Sequence, residues 1–198
     1  MCKEAGNTEQ SKEKKGTELY EWVQALVCSV LLVVLIFTFG IRLVGVDGHS
    51  MLPSLQDGDR LLVLNSLLHH NYEYGDIVVL RKESFGQEPI VKRVIATEGQ
   101  TVDIDFAQGL VYVDGEILQE DYINEPTYLE EGTSFPLTVP EGEIFVLGDN
   151  RNHSSDSRHS NLGTVDTRCV IGKAEILLYP GPTYESEKRE FSRMGWIG

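Results

Sequence analysis

Ser50 stands in the run Gly48-His49-Ser50-Met51-Leu52-Pro53-Ser54-Leu55, and Lys92 in Ile90-Val91-Lys92-Arg93-Val94-Ile95-Ala96. A serine hydroxyl is a poor nucleophile near neutral pH and needs a base to take its proton. The run is no hydrolase nucleophile elbow, because Leu52 occupies the second glycine position. His49 adjoins Ser50, but adjacent side chains on an extended chain point to opposite faces, which argues against His49 as the base. Lys92 is the other candidate. Alternation places Ile90, Lys92 and Val94 on one strand face, where burial disfavours the charged amine. At a pKa of about 10.4 only about one lysine in 2,500 is neutral at pH 7. Lowering the pKa by about 3 units makes roughly a third neutral, at a cost to the fold of about 4 kcal/mol. A neutral lysine beside a serine is a competent general base. Taken singly, each residue has a plainer reading: a turn serine, and a lysine that snorkels to a sheet edge or pairs with a carboxylate.

A third segment, Gly148-Asp149-Asn150-Arg151-Asn152-His153-Ser154-Ser155-Asp156-Ser157-Arg158, alternates two aspartates and two arginines with short polar side chains. Such a segment can fold into a rigid loop held by bidentate Arg–carboxylate pairs, or it can be an ordinary solvated turn. As a metal site it is unfavourable, because the arginines repel a cation and the ligand spacing matches no standard site. Ser11-Lys12-Glu13-Lys14 has β-lactamase-like Ser-x-x-Lys spacing, but sits in a charged leader and is read as chance.

These residues need elements to hold them. Trp22 to Ile41 contains no charged residue. Twenty helical residues rise about 30 Å, the thickness of a bilayer's hydrocarbon core. The stretch exceeds a signal-peptide h-region of about 7–15 residues, no Ala-x-Ala site follows it, and it is apolar all round, unlike a buried soluble helix. It is therefore expected to be a retained membrane anchor. Lys3, Lys12, Lys14 and Lys15 precede it and only Arg42 lies close after it, so the N-terminus is expected in the cytoplasm and residues 42–198 outside. The expected organisation is a cytoplasmic tail over 1–21, disordered to about residue 18, and a transmembrane helix over 22–41. An extracytoplasmic β-domain over 42–183 and a C-terminal tail over 184–198 follow.

The formal net charge is −14, and all but five of the 31 acidic residues lie beyond the span. That balance argues against a nucleic-acid partner and against tight docking on anionic lipid. Cys2, Cys28 and Cys169 are placed before, within and after the span, which precludes a disulfide between them; Cys169 reads as a small core residue. Beyond the anchor, strand signals dominate: Arg60–Leu64, Asp76–Leu80, Ile90–Ala96, Glu143–Leu147 and Val170–Tyr179 are short apolar runs bounded by glycine, aspartate or proline. Leu110–Leu118 reads as a hairpin turning at Asp114-Gly115.

In this order behind an N-terminal anchor, the motifs resemble those of type I signal peptidases, in the single-span form of Gram-positive bacteria. Gly48–Leu55 is similar to the family's serine box, Gly75–Val79 to the next, Lys92–Gly99 to the lysine box, and Gly148–Arg158 to the last. The resemblance covers about residues 20–180. It implies a mostly antiparallel β-fold with a small β-insertion, here about 101–142, behind one transmembrane helix. It implies Ser50 as nucleophile and oxyanion N–H donor, Lys92 as general base, and Ser154 as the hydroxyl that orients the lysine. Arg93, Asp149, Arg151, Asp156 and Arg158 would brace the site. Val44, Val46, Met51, Leu55, Ile90 and Val91 would line pockets for small residues. Many members carry a hydroxyl donor where this chain has Gly48, which leaves the second oxyanion donor unassigned. No metal or cofactor is implied.

The implied activity is removal of signal peptides from secreted precursors after small residues of the Ala-x-Ala type, with the precursor reaching the enzyme through membrane lipid. Its cleavage segment is expected to add as a strand beside Val44–Gly48. Two other readings are a self-cleaving Ser–Lys regulator, in which a DNA-binding domain stands where this chain has a span, and an inactive membrane-anchored β-domain that binds or assembles envelope proteins. The second should lack Ser50 or Lys92, and both are present.

Overall fold

The computed structural model describes residues 5–197. Residues 1–4 of the leader, with Lys3 and Cys2, lie outside the described residues. Contacts divide the chain into two units with a boundary between Gly40 and Ile41.

The first unit is helix α1, Ala5–Leu35, continued by a π-helical segment over Ile36–Gly40. Tyr20–Gly40 is long and apolar enough to cross a membrane, and none of it is buried. The helix corrects the expectation of a disordered leader, because it begins at Ala5. The leader's Glu, Gln and Lys are good helix formers, and a helix already nucleated in the apolar stretch extends without a second nucleation cost. The apolar helical stretch ends at Gly40, and Ile41 belongs to a strand.

The second unit is antiparallel β throughout. Its strands are β1 Ile41–Gly45, β2 Arg60–Asn65, β3 Ile77–Leu80, β4 Ile90–Thr97, β5 Thr101–Asp105 and β6 Leu110–Val113. They continue as β7 Glu116–Ile117, β8 Leu137–Thr138, β9 Glu143–Leu147, β10 Val165–Asp166, β11 Val170–Tyr179 and β12 Gly195–Trp196. The larger sheet runs β1-β2-β11-β3-β4-β9-β10, with β12 on β11; the smaller runs β7-β6-β5-β8 and forms the β-insertion. Asp114 (φ 53°) and Gly115 (φ 83°) make the primed turn that joins β6 to β7. Within the segment expected as a C-terminal tail, β12 pairs Trp196 and Gly195 with Ile176 and Leu177.

Three apolar clusters hold this unit. Val46, Met51 and Leu55 join Leu61, Val63, Ile77, Val79, Ala174 and Leu177 in one. A second gathers Val78, Leu80, Val94, Val146 and Val165, with Ile90 and Cys169 against it. The third lies where the two sheets meet, with Val102, Val111 and Val113 of the smaller sheet against Ile95, Phe145 and Leu147 of the larger. Each fully buried side chain of this kind contributes about 1.5–3 kcal/mol by leaving water. Strand β4 serves more than one cluster because its register with β9 shifts between Val94 and Ala96, turning Ile95 and Ala96 toward the smaller sheet.

Candidate active site

Ser50 lies in the turn-rich loop between β1 and β2, and Lys92 in the middle of β4. The fold brings them together. Lys92 Nζ donates to Ser50 Oγ at 2.8 Å and to the Val91 carbonyl at 3.0 Å. Lys92 is 3% exposed while Ser50 is half-buried, so the amine is shielded and the hydroxyl reachable. Burial lowers the Lys92 pKa to about 8, against the partly opposing pull of Asp156 and Asp149. Deprotonation leaves Nζ a lone pair aimed at the hydroxyl proton. His49 is turned elsewhere, its ring edge-on to Tyr184 at 5.1 Å, as expected of a neighbour on the opposite face.

The loop Gly148–Arg158 holds the serine from behind. The Asn150 N–H donates to the Ser50 carbonyl at 3.0 Å, and Asn150 Nδ2 donates to the His49 carbonyl at 2.9 Å. Gly148 permits this approach, because a Cβ there would fall 2.5 Å from the Ser50 carbonyl oxygen and against Ser154. Nothing among the described residues accepts from the Ser50 N–H, which leaves it open to a developing oxyanion. The Gly48 N–H is occupied by Asp57 Oδ1 at 2.9 Å, and Gly48 itself adopts φ +92°, a conformation that favours glycine.

The arginines and aspartates of this region pair with one another. Arg93 pairs in a fork with Asp149, Nε to Oδ1 at 2.9 Å and Nη2 to Oδ2 at 2.7 Å. Arg158 makes the same fork with Asp156, at 2.8 Å for both bonds. Arg151 is fully buried and bonds the Gly148 carbonyl at 3.0 Å. Both carboxylates are thus engaged as charge-assisted hydrogen-bond acceptors in ion pairs.

Two expectations need correction. The Ser154 hydroxyl donates to Asp156 Oδ2 at 2.8 Å and makes no hydrogen bond with Lys92. The fork between Asp156 and Arg158 leaves a carboxylate oxygen beside that hydroxyl, a stronger acceptor than a buried amine. Val44, Val46, Met51, Leu55 and Val91 gather in one cluster, but Ile90 packs in the second, because alternate residues of β4 face opposite ways.

Sequence reasoning missed the partners supplied by the β-insertion. Glu120 takes both Arg151 terminal nitrogens, Thr127 Oγ1 accepts from Arg151 at 3.0 Å, and the Tyr122 ring lies 4.2 Å beneath the Arg93 guanidinium. Nothing in their local sequence marks them; only the fold does. Asn150 lies within the Gly148–Arg158 segment, and its side-chain amide is the sequence signal for its role.

A scan against protein families matches residues 19–179 to "Signal peptidase, peptidase S26". A signal peptidase I of Bacillus licheniformis is 35% identical over 181 residues, covering 87% of this chain and 95% of its own. Signal peptidase I T of Bacillus subtilis is 35% identical over 183 residues, covering 88% and 92%. Among solved structures, a signal peptidase I from Enterococcus faecalis is 34% identical with a TM-score of 0.43, covering 52% of this chain and 96% of that one.

Proposed function

The chain belongs to the S26 family of signal peptidases, and we propose that Ser50 and Lys92 are the nucleophile and general base with which it removes signal peptides from secreted precursors. It is a serine endopeptidase. The observation that carries the dyad is the 2.8 Å contact between a buried amine and a reachable hydroxyl. Neutral Lys92 takes the Ser50 proton as Oγ attacks the scissile carbonyl. The oxyanion forms against the Ser50 N–H, and a further donor, from backbone, water or a nearby side chain, completes the hole. Lys92 then hands its proton to the departing amine of the mature protein. Water, deprotonated by Lys92, attacks the ester on Ser50 and releases the signal peptide. The scheme needs neither metal nor cofactor. Asp156 holds Ser154 in place beside this centre, and Arg93, Asp149, Arg151 and Arg158 keep the loop rigid.

The precursor's cleavage segment adds as a strand to β1. That strand is an edge of the larger sheet, and its outer backbone groups are free for such pairing. Small side chains on either side of the intervening residue fit over Val44, Val46, Met51, Leu55 and Val91, giving Ala-x-Ala specificity. The Tyr20–Gly40 stretch supports a single-pass anchor in membrane lipid, and the lysine-rich leader supports a cytoplasmic N-terminus with the β-unit outside. The test is cleavage of a purified precursor by the full chain in detergent, read by the mass of the mature product. Cleavage directly after the second Ala of Ala-x-Ala is expected. Cleavage after Phe at an equal rate when Phe replaces that Ala contradicts the specificity.

A further inference from the structure

The last segment of the chain lies beyond residues 19–179, the part that the family model matches, yet it is packed onto the loop that carries Ser50. That loop closes on itself: the Val46 N–H donates to the Asp59 carbonyl at 2.8 Å, and the Gly58 N–H to the Val46 carbonyl at 2.9 Å. Asp59 is wholly buried at the closure. The C-terminal segment meets its carboxylate from outside. Arg193 Nη2 donates to Oδ2 at 2.7 Å, Arg193 Nη1 to Oδ1 at 3.2 Å, and the Gly181 N–H to Oδ1 at 2.6 Å.

The same segment touches the loop at three further points. Arg193 Nη2 donates to the Ser54 carbonyl at 3.2 Å. The Tyr184 N–H donates to Gln56 Oε1 at 2.9 Å, and the Tyr184 ring lies against His49, next to the nucleophile. Gly181 admits the close approach, since a Cβ there would fall 2.8 Å from the Gly58 carbonyl carbon and 2.9 Å from the Asp59 nitrogen. Beyond Arg193, β12 ties the segment to β11, and Ile197 packs on the cluster that contains Met51 and Leu55.

We propose that residues 181–197 form a strap that fixes the position of Ser50, and that Arg193 is a positioning residue acting through Asp59. The inference rests on Ser50 as nucleophile and Lys92 as base. Asn150 holds Ser50 from one flank, and the strap holds the other end of the same loop. Without the Arg193 guanidinium, Asp59 is a buried carboxylate without its counter-charge, and the loop relaxes to hydrate it. A serine displaced by about 1 Å from its base loses about 100-fold in rate, because the proton transfer depends on that alignment.

The experiment compares full-chain Arg193→Gln, Arg193→Lys and Val165→Ala with wild type, each by thermal unfolding and by kcat and KM on one precursor. Arg193→Gln should lower kcat tenfold or more, leave KM within twofold, and leave the acid limb of the pH profile in place. Arg193→Lys should recover kcat to within about threefold of wild type. Val165→Ala opens a cavity in the second apolar cluster, away from both the strap and the serine loop, so it should lower Tm while kcat stays within twofold. Should Arg193→Gln fail to fold, the double variant Asp59→Asn with Arg193→Gln, which buries no unpaired charge, carries the same comparison. Full kcat in folded Arg193→Gln, or kcat losses in Arg193→Gln and Val165→Ala that simply follow Tm, would overturn the proposal. A wrong assignment of Lys92 would appear instead as residual activity in Lys92→Ala, and leaves the Arg193 series readable.

Discussion

Lys92 is a cation placed where water cannot solvate it, and its chemistry follows from that. With a pKa of about 8, about a tenth of the lysines are neutral at pH 7. Activity should therefore rise nearly tenfold per pH unit below 8 and level off above it. An acid limb that vanishes in His49→Ala with Lys92 intact would identify a different base. The depressed pKa also sets a stability trend. Between pH 8 and 10.5 the unfolded lysine binds a proton that the folded one lacks, so stability rises with pH across that window, recovering about 3 kcal/mol from this residue. Urea midpoints of wild type and Lys92→Met at pH 7 and 9.5 check this; wild type should gain and Lys92→Met should not. Gly148 is constrained just as locally. Gly148→Ala drives a Cβ against Ser154 and the Ser50 carbonyl, and overpacking of this kind costs about 1–3 kcal/mol. Its kcat should fall by about 10- to 100-fold with the fold retained; wild-type kcat would mean that Ser50 is not held through this contact.

At the scale of elements, the site is a strand, a closed loop and a second loop, braced from the β-insertion. The forked pair of Arg93 and Asp149 ties β4 to the loop after β9. Removing one partner of a buried pair costs about 3–5 kcal/mol, because the other charge is left uncompensated. Asp149→Ala should therefore lower Tm by about 10 °C in a chain of this size, read by circular dichroism. A shift under about 2 °C would show that the pair is dispensable. Strands β2, β3 and β4 were legible because each is a short apolar run with glycine, aspartate or proline near its ends, and Lys92 is conspicuous inside β4. The loop of arginines and aspartates was legible because both partners of the Asp156–Arg158 pair sit two residues apart. Glu120 and Arg193 were not legible. Their partners Arg151 and Asp59 lie 31 and 134 residues away, and no local pattern encodes such a pairing. Strand β1 was masked for a different reason: Ile41, Leu43 and Val44 continue the apolar stretch before them, so composition alone does not separate strand from span.

At the scale of the whole molecule, an apolar helix precedes an acidic β-unit, and the proposed topology puts the N-terminus and the β-unit in different solvents. A membrane-impermeant thiol reagent applied to intact cells should label Ser160→Cys, an exposed position of the β-unit, and should reach Cys2 only after permeabilisation. Labelling of Cys2 in intact cells would reverse the topology. The central claim, however, is that a lysine deprotonates a serine. Purified wild-type, Ser50→Ala and Lys92→Ala proteins, each shown to be folded by thermal unfolding, should be given the same precursor near the wild-type pH optimum. Ser50→Ala should release no mature product. Lys92→Ala should retain less than about a hundredth of the wild-type rate, the loss expected of a missing general base. A folded Lys92→Ala protein that keeps more than about a tenth of that rate would contradict the account.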